Sequence, residues 1–180
     1  MAEGLPGPAP LRPSRPRLVW TWGAAMAALA LALDQTTKSW VLMALADPPR
    51  VVPVTSFFNL VFWRNRGVTF GLLSADHPAA PWLLSSLALA VVAGLLVWLA
   101  RDQRLWMAVP VGLIIGGALG NVVDRLRYGG VTDFLDFHVV GYRWPAFNLA
   151  DAAIVVGVVL LLLVGGRGES ARAPTSAARS

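Results

Sequence analysis

Four stretches of the chain are apolar over lengths that suit a helix crossing a membrane. Trp82 to Ala100 and Leu105 to Val123 carry no charged side chain, and each approaches the roughly 20 residues needed to span a hydrocarbon core about 30 Å thick. Leu18 to Leu33 is apolar in the same way and continues past Asp34 and Lys38 into "SWVLMALA". Residues 147 to 165, "FNLADAAIVVGVVLLLLVG", hold a single formal charge, Asp151. The pattern predicts an all-α polytopic membrane protein, with four transmembrane helices forming one domain over residues 18–165. Pro110 and the glycines Gly112, Gly116, Gly117 and Gly120 predict a kink and close helix packing in the third span.

The connection between the first two spans reads differently. "DPPRVVPVTSFFNLVFWRNRGVTFGLL" is rich in β-branched and aromatic residues broken by Pro and Gly, which favours short strands over helix. Its Phe and Trp side chains suit a membrane interface, so a small extracytoplasmic β element resting on the membrane is expected. Residues 1–17 and 166–180, dominated by Pro, Ser, Ala and Arg, offer little to bury and read as disordered tails. A cleavable signal peptide is the alternative for the N-terminus. It fits less well, because the apolar stretch is long and resumes after "DQTTK".

Composition strengthens the membrane reading. Among 180 residues, 56% are hydrophobic and only 14% charged, and a mean hydropathy of +0.61 implies more apolar surface than one soluble domain can enclose. The net charge of +5 does not call for nucleic acid. Arg12, Arg15, Arg17, Arg101, Arg104, Arg167, Arg172 and Arg179 lie in the tails and in the loop "RDQR", where few acids accompany them. That placement predicts both termini on the cytoplasmic side of the membrane. There is no Cys, which excludes a thiol nucleophile, a disulfide or a thiolate metal site within the chain. His77 and His138 are far apart and no HExxH occurs, so metal catalysis is not expected.

The remaining charges at membrane depth are candidates for function, because such groups insert at a cost. Asp34 and Lys38 are spaced i, i+4 and can neutralise each other. Near the end of the third span, "GGALGNVVDRLRYGGVTDFLDF" places Asn121 and Asp124 i, i+3, then Arg125, and after a turn signal Asp133 and Asp136. Asn148 and Asp151 repeat the i, i+3 spacing at the start of the fourth span. The outer loop joins these spans, so Asp133 and Asp151 can meet at one end of the bundle. Two carboxyls at close range share a proton, and can then activate water and protonate a carbonyl oxygen. A transporter or proton channel built on the intramembrane Asp residues is the competing reading, with purely structural roles as a third.

The motifs, in order, resemble those of the bacterial lipoprotein signal peptidase family, signal peptidase II. "DQTTK" resembles its D-Q-x-x-K, "NRGVTFGLL" its N-x-G-x-x-F block, and "GGALGNVVDRLRYGGVTDFLDF" and "FNLADAAI" its two catalytic blocks. The resemblance covers most of residues 18 to 165. It implies four membrane helices with an outer β-cradle, and an intramembrane aspartic endopeptidase that cuts lipid-modified prolipoproteins just before the diacylglyceryl-bearing Cys. It makes Asp133 and Asp151 the catalytic pair. Asp34, Lys38, Asn65, Asn121, Asp124, Arg125 and Asn148 fall on positions that support or line the site, and Asn65 and Arg125 are expected to reach substrate. It further implies membrane lipid as a partner, inhibition by the cyclic peptide globomycin, and no cofactor. Where the family commonly has small residues, this chain has Val68 and Thr69. Gly67 and Gly71 would let the outer loop move.

Overall fold

A computed structural model describes residues 16–67, 78–102 and 104–170. Val68, Thr69 and Gly71, His77 and most of both tails lie outside the described residues. The elements run α1 (Pro16–Leu45), β1 (Val51–Pro53), β2 (Phe58–Asn65), α2 (Ala80–Arg101), α3 (Leu105–Tyr128), β3 (Val131–Val139), β4 (Tyr142–Arg143) and α4 (Leu149–Ser170). The helices α1, α2 and α3 are each long and apolar enough to cross a membrane, and α4 adds a shorter apolar stretch, Leu149–Val164. Their outward faces carry large exposed side chains such as Trp22, Leu33, Trp40, Leu87 and Leu162. In water that surface would be a liability; in hydrocarbon it costs nothing.

α3 is the central helix. It is largely buried within the protein, whereas α1 and α2 expose most of their apolar windows, and it packs against α1, α2 and α4. Small residues are what permit this. A Cβ on Gly112 or Gly116 would run into the carbonyl oxygens of Gly23 or Ala27 in α1. On Gly117 it would meet the carbonyl oxygen of Ala150 in α4, and on Gly120 the carboxylate of Asp34. With no lipid-excluding force between helices, close backbone approach of this kind is a main source of their association. Val19, Val92, Leu99, Met107, Val111 and Ile115 fill the adjoining α1/α2/α3 core. The helix continues through Pro110 and ends at Gly129, whose φ of 68° is the left-handed conformation that glycine adopts freely.

The strand-rich loop forms as expected, but its sheet is larger than the first outer loop alone. β1, β2, β3 and β4 make one antiparallel sheet in that order, so half of it comes from the segment between α3 and α4. The alternation of "VTDFLDFHVV" carried that signal; the two carboxylates within it obscured it. The sheet packs on the last turns of α1 and on the start of α4, through Val41, Leu45, Phe134, Leu60, Phe62 and Leu149. Between Leu60 and Trp63 the β2/β3 register shifts by one residue. Leu60 faces Leu135, but beyond the irregularity Trp63 faces Asp133 and Asn65 faces Val131. Without the shift, residues 62 and 64 would share Asp133's face; with it, Asn65 does.

Gly117→Ala is expected to force α3 and α4 apart and to destabilise the protein by about 1–3 kcal/mol. Gly94→Ala, in α2 where nothing lies within 4 Å of an added Cβ, is expected to be neutral or slightly stabilising. Thermal unfolding of both variants in detergent micelles checks the contrast.

Candidate active site

The polar residues picked out along the chain converge on one end of the bundle. Lys38, on α1, is buried and its Nζ lies 2.8 Å from Asp34 Oδ2 and 3.5 Å from Asp124 Oδ2. It also donates to Asn121 Oδ1 at 3.0 Å. Gln35 Nε2 bridges the same two acids, at 3.2 Å from Asp34 Oδ2 and 3.1 Å from Asp124 Oδ1, and reaches the Gly120 carbonyl at 3.2 Å. Buried charges are tolerable only when paired and hydrogen-bonded in this way. The remaining carboxylate valences go to backbone: Asp34 Oδ1 accepts from Ala150 N at 3.0 Å and Asp124 Oδ2 from Thr132 N at 2.8 Å. α1 is thereby tied to the first turn of α4, and α3 to the first residues of β3.

Asn148 and Asp151 do not sit one turn apart inside a helix, as their spacing alone implied. α4 begins at Leu149, so Asn148 precedes it and caps it. Asn148 Oδ1 accepts from Asp151 N at 3.0 Å, and Asp151 Oδ2 accepts from Asn148 N at 3.2 Å. This reciprocal pair is a capping box. The carboxylate that looked costly in an apolar span is therefore part of how that helix starts.

Asp133, on β3, is 2% exposed. Asn148 Nδ2 donates to its Oδ1 at 2.6 Å, and Asn65 Nδ2 to its Oδ2 at 3.0 Å. Asn121 Nδ2 donates to Asp151 Oδ1 at 2.8 Å, and Asn148 Nδ2 also approaches Asn121 Oδ1 at 3.3 Å. Asp133 and Asp151 are thus neighbours through a shared Asn148, each held by two donors, with Asp151 the more open to solvent. Burial pushes the Asp133 carboxyl up to about 6; the hydrogen bonds from Asn65 and Asn148 pull against this, and the nearby Asp151 charge adds to it. Arg125 bonds back to Asn121 O at 3.4 Å and lies within electrostatic reach of Asp151, Asp133 and Asp124.

Nine of the ten polar residues singled out from the sequence therefore fall in one cluster, but in two tiers. Asp133, Asp151, Asn65, Asn148, Asn121 and Arg125 surround the carboxyl pair, while Asp34, Lys38 and Asp124 form the buried ion cluster beneath it. Asp136 stands apart: it bonds Asn59 Nδ2 at 2.9 Å and lies 3.6 Å from Arg143, stitching β2, β3 and β4. Gln35 and Thr132 were missed. Gln35 is in the D-Q-x-x-K motif but is off the Asp34/Lys38 helical spacing, and Thr132 acts through its backbone N–H, which no side-chain pattern announces. No group of three or more potential metal ligands occurs among the described residues.

The family model described as Signal peptidase (SPase) II matches residues 26–165. The chain belongs to the signal peptidase II family, a family of proteases. It is similar to the lipoprotein signal peptidase of Rhodopseudomonas palustris (strain TIE-1), 46% identical over 78% of this chain and 88% of that protein. The lipoprotein signal peptidase of Azoarcus sp. (strain BH72) is 48% identical over 76% of this chain and 78% of that one. Among solved structures, a bacterial membrane enzyme determined in meso at 2.3 Å resolution superposes with a TM-score of 0.70 at 27% identity, covering 87% of this chain and 94% of the other. The protein is thus an integral membrane protease, and the transporter reading loses its support.

Lys38→Met leaves Asp34 and Asp124 without their cation, and is expected to lower stability by about 3–5 kcal/mol. Adding Asp34→Asn removes one stranded charge, so the double variant is expected to be more stable than Lys38→Met alone. Chemical unfolding in micelles measures both.

Proposed function

We propose that this chain removes signal peptides from diacylglyceryl-modified prolipoproteins by aspartic chemistry, with Asp133 and Asp151 as the catalytic pair. The observation that carries this reading is the joint fixing of the two carboxyls by Asn148, beside a family relationship that spans most of the chain. Their environments differ in the sense the chemistry needs. Burial raises the Asp133 carboxyl to about 6, so it holds a proton more readily than an ordinary carboxyl and is assigned as the acid, while Asp151, capping α4 and more open to solvent, is assigned as the base.

In this mechanism a water molecule attacks the scissile carbonyl carbon as Asp151 takes one of its protons and Asp133 gives its own to the carbonyl oxygen. The resulting gem-diol collapses as the C–N bond breaks. Asp151 passes its proton to the departing amine of the lipidated Cys, and Asp133 recovers a proton from the diol hydroxyl. The signal peptide leaves with a new carboxyl end, and no metal or organic cofactor takes part. Asn65 and Asn148 hold Asp133, Asn121 and the Asn148 backbone hold Asp151, and Arg125 and Asn65 are the side chains placed to meet substrate. The Cys that the reaction needs belongs to the substrate.

The same reading makes α4 a fourth span, with both termini cytoplasmic and the site near the outer face of the inner membrane. The peptidase unit occupies residues 18–165. A substrate whose acyl chains stay in lipid can approach sideways, and globomycin is expected to inhibit by occupying the substrate's place at this site.

Purified protein reconstituted with a diacylglyceryl-modified precursor tests the proposal. Asp133→Asn and Asp151→Asn are each expected to lower the cleavage rate by ~10²–10⁴-fold; full cleavage by either variant overturns the pair. The pH profile is a second test. An acid raised to about 6 holds its proton below that pH and loses it above, so kcat/KM is expected to fall as pH rises through that range. The limb in kcat is expected at higher pH, because bound peptide excludes water and deepens burial.

A further inference from the structure

The β2/β3 ladder ends beside the site. Its last pair is Asn65 with Val131, so the Asn65 hydrogen bond to Asp133 is made where strand pairing stops. Glycine lies close beyond that end on both segments: Gly67 follows β2, and Gly129 and Gly130 separate β3 from Tyr128, the last residue of α3. Glycine restrains a backbone least, so neither connection fixes the strand ends by itself. At Gly130 no side chain could take over that task, because an added Cβ would lie 2.8 Å from the Asn65 carbonyl oxygen.

Arg64 supplies the restraint. It stands opposite Thr132 in the ladder, and its Nη1 donates to Thr132 Oγ1 at 2.8 Å. The same guanidinium lies over the rings of Tyr128 and Phe62, at 4.7 and 5.2 Å from their centroids. Arg64 therefore holds both sides of the glycine joint, Tyr128 before it and Thr132 after it, from the strand that carries Asn65. A planar guanidinium can stack on rings and donate within its plane at once, which an ammonium cannot. Asp124, whose Oδ2 accepts from Thr132 N, lies within electrostatic reach of Arg64. Buried Thr132 is thus tied to α3 through its main chain and to β2 through its hydroxyl. The register shift between Leu60 and Trp63 is what sets Arg64 opposite Thr132; an unbroken ladder would put Trp63 there.

We propose that Arg64 is a positioning residue for the cleavage reaction: by tying Tyr128 and Thr132 to β2, it keeps Asn65 and Asp133 within hydrogen-bonding distance of each other. The inference rests on the reading of Asp133 as the acid of the pair, and its consequence for that acid has a definite sign. The Asn65 bond pulls the Asp133 carboxyl down against burial, so a β2 end released from Thr132 lets it rise. The charged groups that face Asp133 are Lys38 from α1, Arg125 from α3 and Asp151 from α4, and substitutions at 64 or 132 leave all three in the chain. Thr132→Val removes the hydroxyl and keeps the Arg64 charge, so a rise shared with Arg64→Met is not a charge effect.

Cleavage of a diacylglyceryl-modified precursor by reconstituted Arg64→Met, Thr132→Val, the double variant and Thr132→Ser tests the assignment. Arg64→Met and Thr132→Val are each expected to lower kcat by ~10–100-fold, the scale of a misplacement of about 1 Å, with KM little changed and the alkaline limb of kcat/KM moved to higher pH. The double variant is expected to lose no more than the worse single variant, because both break one link. Thr132→Ser, which keeps the hydroxyl, is expected to cleave as the parent does. Additive losses with an unmoved limb, or a raised KM at unchanged kcat, overturn the proposal. If Arg64→Met does not fold, the comparison of Thr132→Val with Thr132→Ser decides, and equal kcat with equal limbs overturns it. Full cleavage by Asp133→Asn in the same assay sinks the catalytic pair and this inference with it, whereas failure of the inference alone leaves Asp133→Asn inactive.

Discussion

The site depends on a single buried cation. Among the described residues Lys38 is the one Lys or Arg in the buried class, and it satisfies Asp34, Asp124 and Asn121 at once. Each of these partners then acts on a different element. Asp34 receives the N–H of Ala150 and so fixes the start of α4; Asp124 receives the N–H of Thr132 and fixes the start of β3. Because Asn121 accepts from Lys38, its amide nitrogen must face Asp151, to which it donates. The two residues that carry Asp133 and Asp151 to their positions are thus located by one ion cluster, at a depth where an uncompensated charge would be severely costly.

The glycine-lined face of α3 is what allows the cluster to close. Gly120 leaves room for the Asp34 carboxylate, and Gly117 brings α4 near enough for Ala150 to reach it. Backbone proximity, ion pairing and helix capping are three parts of one arrangement. The two carboxyls have unlike surroundings, one set in the sheet and buried, one at a helix start and more open. That asymmetry comes from which elements supply the residues, and needs no movement to create it.

Much of this was legible in the sequence. The three helices long and apolar enough to cross a membrane follow from apolar runs, and the Asp34/Lys38 pair from its i, i+4 spacing, because helix geometry alone brings such residues together. The family motifs marked nine residues of the cluster. What could not be read was the contact between tiers: that Lys38 of α1 faces Asn121 and Asp124 of α3, that Gln35 bridges two acids, and that Thr132 contributes its N–H. These depend on the rotation and distance of packed helices, which local spacing does not encode. Asn148 shows the limit of periodicity most plainly. Its i, i+3 spacing to Asp151 predicted a shared helix face, whereas the pair form the helix's first cap, and the same three-residue separation serves both geometries. The one-residue register shift in β2, which turns Asn65 toward Asp133, likewise had no signal in the alternation of "FNLVFWRN".

The central claim is that two carboxyls activate water directly and that no residue of the chain becomes acylated. Single-turnover cleavage of a diacylglyceryl-modified precursor in ¹⁸O-water containing hydroxylamine tests it. The account predicts one ¹⁸O atom in the new carboxyl group of the released signal peptide, and no hydroxamate. A hydroxamate at that end would reveal an acyl-enzyme intermediate and would contradict the account.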